Sequence, residues 1–87
     1  MDKGFSLEIL TPERTLFSGE VTSLVAPGAL GYLGVLASHA PLVTTLVPGN
    51  ITCRTAGGGL QIFRSAGAGF LEVYQSRAVL LADKIEG

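Results

Sequence analysis

The chain reads as a succession of short segments in which apolar and polar residues alternate with the two-residue period of half-buried strands. Phe5, Leu7 and Ile9 fall on one side of FSLEIL and Ser6 and Glu8 on the other, and Leu10 breaks the alternation at the segment's end. Thr11-Pro12-Glu13-Arg14 follows as a turn with proline at its second position. Thr15 to Ser18 resumes as a short strand that stops before Gly19-Glu20. Val21 to Ala26 sets Val21, Ser23 and Val25 against Thr22, Leu24 and Ala26, which is apolar or small on both faces and predicts a strand inside a sheet or between sheets. Pro27 to Gly31 reads as a loop, and Leu30, Tyr32 and Leu33 would make its tip apolar.

The most specific stretch is Gly31 to Gly49, GYLGVLASHAPLVTTLVPG, which combines close-spaced glycines, one histidine expected to be buried and two prolines. Pro41 pushes Ala40 towards an extended conformation, and Pro48-Gly49 closes an apolar strand from Leu42 to Val47. Two strands and their bends are predicted here. Beyond it, Ile51 to Thr55 and Leu60 to Ser65 flank Ala56-Gly57-Gly58-Gly59, a hairpin signal. Phe70 to Tyr74 alternates again, Gln75-Ser76-Arg77 turns the chain into Ala78 to Ala82, and Asp83 to Gly87 reads as a polar tail. No segment holds a helical period over ten residues. The expected fold is all-β: a small antiparallel β-sandwich or flattened barrel of about nine or ten short strands.

Eighty-seven residues make a single domain, 1–87, too short to divide its core. Charged residues are 15% of the chain, against about 25% in ordinary domains, while apolar ones are 47%. So much uncharged surface predicts a partner that covers part of it. A net charge of −1 and basic residues scattered from Lys3 to Lys84 offer no footprint for nucleic acid. Cys53 is the single cysteine, so no internal disulfide forms. No apolar run is long enough to span a bilayer, and no signal peptide opens the chain.

Candidate chemistry is thin. His39 has no Asp, Glu, Cys or Lys within its stretch to orient it, and its neighbour Ser38 would point to the opposite face of a strand, so a structural or interface role is expected. One His and one Cys leave a tetrahedral metal site short of ligands. The carboxylates Asp2, Glu8, Glu13, Glu20, Glu72, Asp83 and Glu86 are spread over strand faces and turns, and nothing selects two of them as a catalytic pair. Gly57 to Gly59 lacks the Lys-Ser/Thr and helix of a phosphate loop. Cys53 alternates with Ile51 as a small core residue. No catalytic residue, cofactor site or metal site is expected.

The run Gly31, Leu33, Gly34, Val35, Leu36, His39, Ala40, Pro41, Leu42, Thr44, Leu46, Pro48 and Gly49 is in step with G-E-L-G-I-L-P-G-H-A-P-L-x-T-x-L-x-P-G. With Leu16-Phe17-Ser18-Gly19, Gly69-Phe70-Leu71-Glu72-Val73 and Val79-Leu80-Leu81-Ala82-Asp83, it makes the chain resemble the epsilon subunit of the rotary ATP synthase over nearly its whole length. The resemblance implies a β-sandwich on the central rotor stalk that binds the gamma subunit and the loops of the c-ring, coupling proton flow to ATP synthesis without catalysing anything itself. It implies a gamma interface at Thr11, His39 and Thr44, and a c-ring-facing loop of Gly28, Ala29, Leu30, Gly31, Tyr32 and Leu33. It also implies a peripheral place on the cytoplasmic face of the bacterial plasma membrane, with a thylakoid or other energy-transducing membrane as the alternative.

Three departures stand out. Tyr32 replaces an acidic residue, which points to an aromatic or hydrogen-bonded contact in that loop. Ala37-Ser38 replaces Pro-Gly before His39. Family members usually continue into a C-terminal helical hairpin that restrains ATP hydrolysis and in some binds ATP, whereas this chain stops at Gly87. If 1–87 is the whole product, the hairpin's restraint is lost; a truncated product is the other reading. The competing function is a small ligand-binding sandwich of the carbohydrate type, which needs exposed aromatic platforms where this chain has no tryptophan and two tyrosines, Tyr32 and Tyr74. A hydrolase would need two perturbed acids in one pocket.

Overall fold

The computed structural model describes residues 3–86. Nine strands form among them: β1 (Phe5–Leu10), β2 (Thr15–Gly28), β3 (Gly31–Val35), β4 (Leu42–Leu46), β5 (Gly49–Thr55), β6 (Leu60–Ser65), β7 (Gly69–Val73), β8 (Arg77–Ala82) and β9 (Ile85–Glu86). Pairing divides them into two layers. The first half of β2 pairs with β1, β1 runs parallel to β8, and β8–β7–β4 completes the first layer with antiparallel pairs. The second half of β2 lies between β3 and β5, and β6 and β9 follow to complete the second layer. The expected all-β sandwich is found, with β2 belonging to both layers.

Sharing β2 corrects the division into two short strands around Gly19-Glu20. Gly19 sits in register opposite Leu7 and Glu20 opposite Ser6, so pairing with β1 carries the strand through both residues. The alternation is shifted instead at a bulge between Val21 and Ser23. Val21, Leu24 and Ala26 are consequently all buried, although simple alternation puts Val21 on the other face.

The core lies between the layers. Phe5, Leu7, Ile9, Leu71, Leu80, Ala78 and Leu46 from the first layer meet Leu24, Val35, Ile51, Cys53, Phe63 and Ile85 from the second, all buried. Phe17 meets Phe63 edge to face across the gap, with ring centroids 6.3 Å apart. Cys53 is a core residue as expected, and burial raises its thiol pKa above the ordinary 9.0. Ser65 is the one fully buried polar side chain among the described residues, and its hydroxyl donates to the Gly67 carbonyl at 3.1 Å.

The Thr11–Arg14 turn is closed by backbone hydrogen bonds in both directions between its ends. The Ala56–Gly59 connection is the expected hairpin, joining β5 to β6 in continuous register. At β7–β8 the hairpin is tighter, with Tyr74 and Arg77 exchanging backbone hydrogen bonds around Gln75 (φ 47°) and Ser76 (φ 61°). The expected polar tail is instead partly strand: Ser65 and Arg64 of β6 pair with Ile85 and Glu86, and Ile85 is buried. The buried Ile85 and backbone hydrogen bonds from the Asp83 N–H to the Ala68 carbonyl at 3.0 Å and from the Ala66 N–H to the Lys84 carbonyl at 2.9 Å hold this segment on the sheet edge. Gly87 and Asp2 lie outside the described residues.

Candidate functional site

The Gly31–Gly49 stretch builds one side of the sandwich. β3 pairs only with β2 and lies at the edge of the second layer, while β4 pairs along its length with β7 at the edge of the first. The bend from Leu36 to Pro41 connects these two edges, so a single run of sequence walls the sandwich from sheet to sheet. At its far end β4 is held by the β2–β3 hairpin: the Ala29 N–H donates to the Thr45 carbonyl at 3.1 Å and the Val47 N–H to the Pro27 carbonyl at 2.9 Å. Thr45 therefore presents its backbone away from β7. Two residues earlier, the backbone of Val43 faces the same side, where no strand lies against it.

The hairpin end differs from the loop expected at Pro27 to Gly31. Pro27 and Gly28 are still in β2, Gly28 is directly opposite Gly31, and only Ala29 and Leu30 turn. Gly31 adopts φ 125°, a conformation that side chains rarely take. The expected apolar tip is there in part: Leu30 is fully exposed and Tyr32 is 60% exposed, but Leu33 packs against the core. The Tyr32 hydroxyl accepts a hydrogen bond from the Asn50 N–H at 3.0 Å, tying the hairpin to β5. A Cβ at Gly49 would lie 2.7 Å from both that hydroxyl and Pro27 Cβ, so the Pro48-Gly49 pair owes its glycine to this close approach.

His39 lies in the Leu36–Pro41 bend and is exposed, correcting the expectation of a buried imidazole. Only Ala37 of the bend packs against the core; Leu36 and Ser38 to Pro41 are exposed, so no core forms around the ring. Its N–H donates to the Leu36 carbonyl at 3.0 Å, and Nδ1 is 2.7 Å from the Ala40 carbonyl oxygen, an arrangement that fits an Nδ1–H donor. Thr44 is half-buried on the inner side of β4, opposite Leu71. His39 and Thr44 thus belong to the same β3–β4 wall, His39 exposed on its bend and Thr44 turned towards the inside of the sandwich. Thr11 does not: it stands in the β1–β2 turn, and β8 and β7 intervene between β1 and β4.

The alternation leaves a second set of apolar residues pointing outward from the first layer, and reading the core from sequence missed its extent. Thr45, Phe70, Leu81 and Leu10 lie in register across β4, β7, β8 and β1, with Val43, Glu72, Val79 and Glu8 one rung along. Val43 is 71% and Phe70 46% exposed. Arg77 Nη2 lies 3.7 Å from Glu8 Oε1 on this face, a half-solvated ion pair of small energetic weight. Tyr74 lies at the end of β7 in the first layer and Tyr32 in the second, so the two tyrosines form no common platform. Among the described residues no group of three or more His, Cys, Asp or Glu is placed to hold a metal ion, and no helix is long and apolar enough to cross a membrane.

The sandwich and its Gly31–Gly49 wall have matching relatives. The family described as ATP synthase, Delta/Epsilon chain, beta-sandwich domain matches residues 4–87. The chain belongs to this family. The ATP synthase epsilon chain of Desulforamulus reducens is 49% identical over 86 residues, covering 99% of this chain and 64% of that protein. The epsilon chain of Chlorobaculum tepidum is 40% identical over 84 residues, covering 97% of this chain and 94% of that one. Against two further epsilon chains, from Dichelobacter nodosus and Moorella thermoacetica, the chain spans 58% and 60% of the relative's length. Among solved structures, a chain of the Euglena gracilis mitochondrial ATP synthase, in a structure of OSCP/F1/c-ring, superposes with a TM-score of 0.87 at 20% identity, covering 94% of this chain and 52% of that one. At that identity the likeness is one of fold. For this epsilon-type sandwich, the ligand-binding alternative is not favoured.

Proposed function

We propose that this chain is a non-catalytic rotor subunit of a proton-translocating ATP synthase, clamped to the gamma subunit along the β3–β4 side and touching the c-ring with the β2–β3 hairpin tip. The observation that carries the reading is the family match over residues 4–87, whose most specific run folds into one continuous wall of the sandwich. In that wall the exposed His39 and the half-buried Thr44 are the gamma contacts, with Val43 exposed on the opposite face of the same edge strand, whereas Thr11 at the far turn is a peripheral one. Leu30 and Tyr32 are the side chains offered to the c-ring, with Ala29 beside them and Gly28, Gly31 and Leu33 shaping the hairpin from within.

The mechanism is mechanical. A sandwich closed by β2 and tied at its hairpin to β4 and β5 transmits torque without deforming, since bending it would break hydrogen bonds in both layers at once. The subunit is peripheral to an energy-transducing membrane and held there through the complex; the cytoplasmic face of a bacterial plasma membrane is the place proposed. Co-expression with a gamma subunit from the same source, followed by native mass spectrometry, tests the reading. A one-to-one complex is expected, and Thr44→Tyr or His39→Ala should weaken it. A persistently free monomer beside a folded gamma subunit overturns the assignment, while wild-type affinity in both variants moves the interface away from these residues.

A further inference from the structure

An open cleft of about 490 Å³ lies beside the β3–β4 bend, lined by Lys3, Thr22, Ser23, Leu36, Ala37, Ser38 and Arg54. Among the described residues its lining holds two cations and three hydroxyls and no carboxylate. The bulge in β2 produces this grouping. Opposite β5 the register steps from Val21↔Thr55 to Ser23↔Arg54, leaving Thr22 as the extra residue. Thr22 and Ser23, which regular alternation would send to opposite faces, consequently line the same cleft beside Arg54. The Thr22 hydroxyl reaches the Arg54 carbonyl at 3.5 Å, and Arg54 Nη1 makes a long 3.5 Å contact to the Gly58 carbonyl, which leaves most of the guanidinium's donors directed to solvent. The bend supplies the facing wall through Leu36, Ala37 and Ser38.

We propose that this cleft binds a phosphate group, free or carried on a nucleotide. A guanidinium, an ammonium and hydroxyl donors are the groups that a tetrahedral oxyanion uses; Ser23 and Ser38 supply the hydroxyls, Thr22 joining them if it gives up its long bond to the Arg54 carbonyl, and Arg54 can engage two of the anion's oxygens at once. Leu36 and Ala37 give the rim an apolar side against which an attached ring would rest. One charge works against binding: Glu20 lies beside Gly4, close enough that a Cβ there would be 2.9 Å from Oε2, and Gly4 adjoins Lys3. Removing that carboxylate should strengthen the site.

The test is titration of the isotopically labelled full chain, at constant ionic strength, with inorganic phosphate and separately with ATP, using chloride as the reference anion. Saturable shifts are expected at the amides of Thr22, Ser23 and Ser38 and not at Ala29 or Leu30. Saturation by inorganic phosphate identifies a free-phosphate site, and saturation by ATP alone a nucleotide-borne one; either supports the inference. Arg54→Gln should weaken binding about tenfold, Glu20→Gln should tighten it, and Arg64→Gln, on the same sheet but outside the cleft, should leave it unchanged. Shifts that stay linear with both ligands overturn the proposal. So does an equal loss in Arg54→Gln and Arg64→Gln, which would reveal diffuse charge attraction.

Discussion

Two rungs of the first layer, one residue apart on the same four strands, have opposite fates. Thr44, Leu71, Leu80 and Ile9 point inward, and the three aliphatic residues are completely buried; Thr45, Phe70, Leu81 and Leu10 point outward and keep exposed or half-exposed apolar surface. Composition alone does not separate them, because each rung has one threonine and three apolar side chains. The inner rung stabilises the fold, whereas the outer one contributes little to it and remains available to another surface. The high apolar fraction of this small chain therefore serves two purposes, a core and an uncovered face.

The inner rung should be the sensitive one. Leu80→Ala, which empties a fully buried site, is expected to cost about 3 kcal/mol. In a domain of this size that is a large share of the total, so chemical denaturation should show a collapse of the midpoint or an unfolded chain. A change below about 1 kcal/mol would mean that the layers can close up around the loss.

Gly69→Val comes next, at about 2 to 3 kcal/mol. A Cβ at Gly69 would run into the Leu81 carbonyl and come 2.7 Å from Ala82 Cα, so β7 and β8 could no longer approach as they do. Thermal denaturation would register the loss; wild-type stability would show that the two strands can separate locally at no cost.

The β7–β8 hairpin is expected to move the other way. Ser76 holds φ 61° without being glycine, and Ser76→Gly should stabilise by about 0.5–1 kcal/mol, the relief of the left-handed backbone exceeding the added freedom of the unfolded chain. A rise in melting temperature of a few degrees is the readout.

The outer face gives the smallest effect on stability. Val43→Ser, at a position 71% exposed, should stay within about 0.5 kcal/mol of wild type yet weaken the proposed gamma contact in a pull-down. Loss of stability with binding intact would reverse the roles assigned to the two faces. Cys53, buried in the second layer, gives the core a pH-dependent readout. Burial raises its thiol pKa in the folded state, so the contribution is fully present below the ordinary 9.0 and is lost as pH rises beyond it, because the unfolded chain then ionises more readily. Cys53→Ala should flatten that alkaline decline in a stability profile.

Much of this was legible in the residues. Alternation located β1, the β5–β6 pair and the β7–β8 pair, since a strand with one face in a core must repeat every second residue. The run from Gly31 to Gly49 identified the family because glycine, proline and histidine were fixed in order along a stretch that few folds would require. Cys53 as a core residue followed from its phase with Ile51. These are local properties, and local sequence carries them.

What only the tertiary structure decided depends on contacts between distant segments. Gly19-Glu20 reads as a break, but pairing with Leu7 and Ser6 holds the strand straight through it. Ile85 looks like part of a polar tail until Ser65 supplies a partner strand. His39 has the neighbours of a buried residue, and it is the path of the bend between two sheet edges that leaves it in solvent. The bulge that gathers Thr22, Ser23 and Arg54 arises from the register between β2 and β5, thirty-two positions apart at Thr22 and Arg54, and no local pattern announces it. Periodicity tells which residues share a face of a strand. Which face meets the core, and what the other face lies beside, is set when the sheets close on one another.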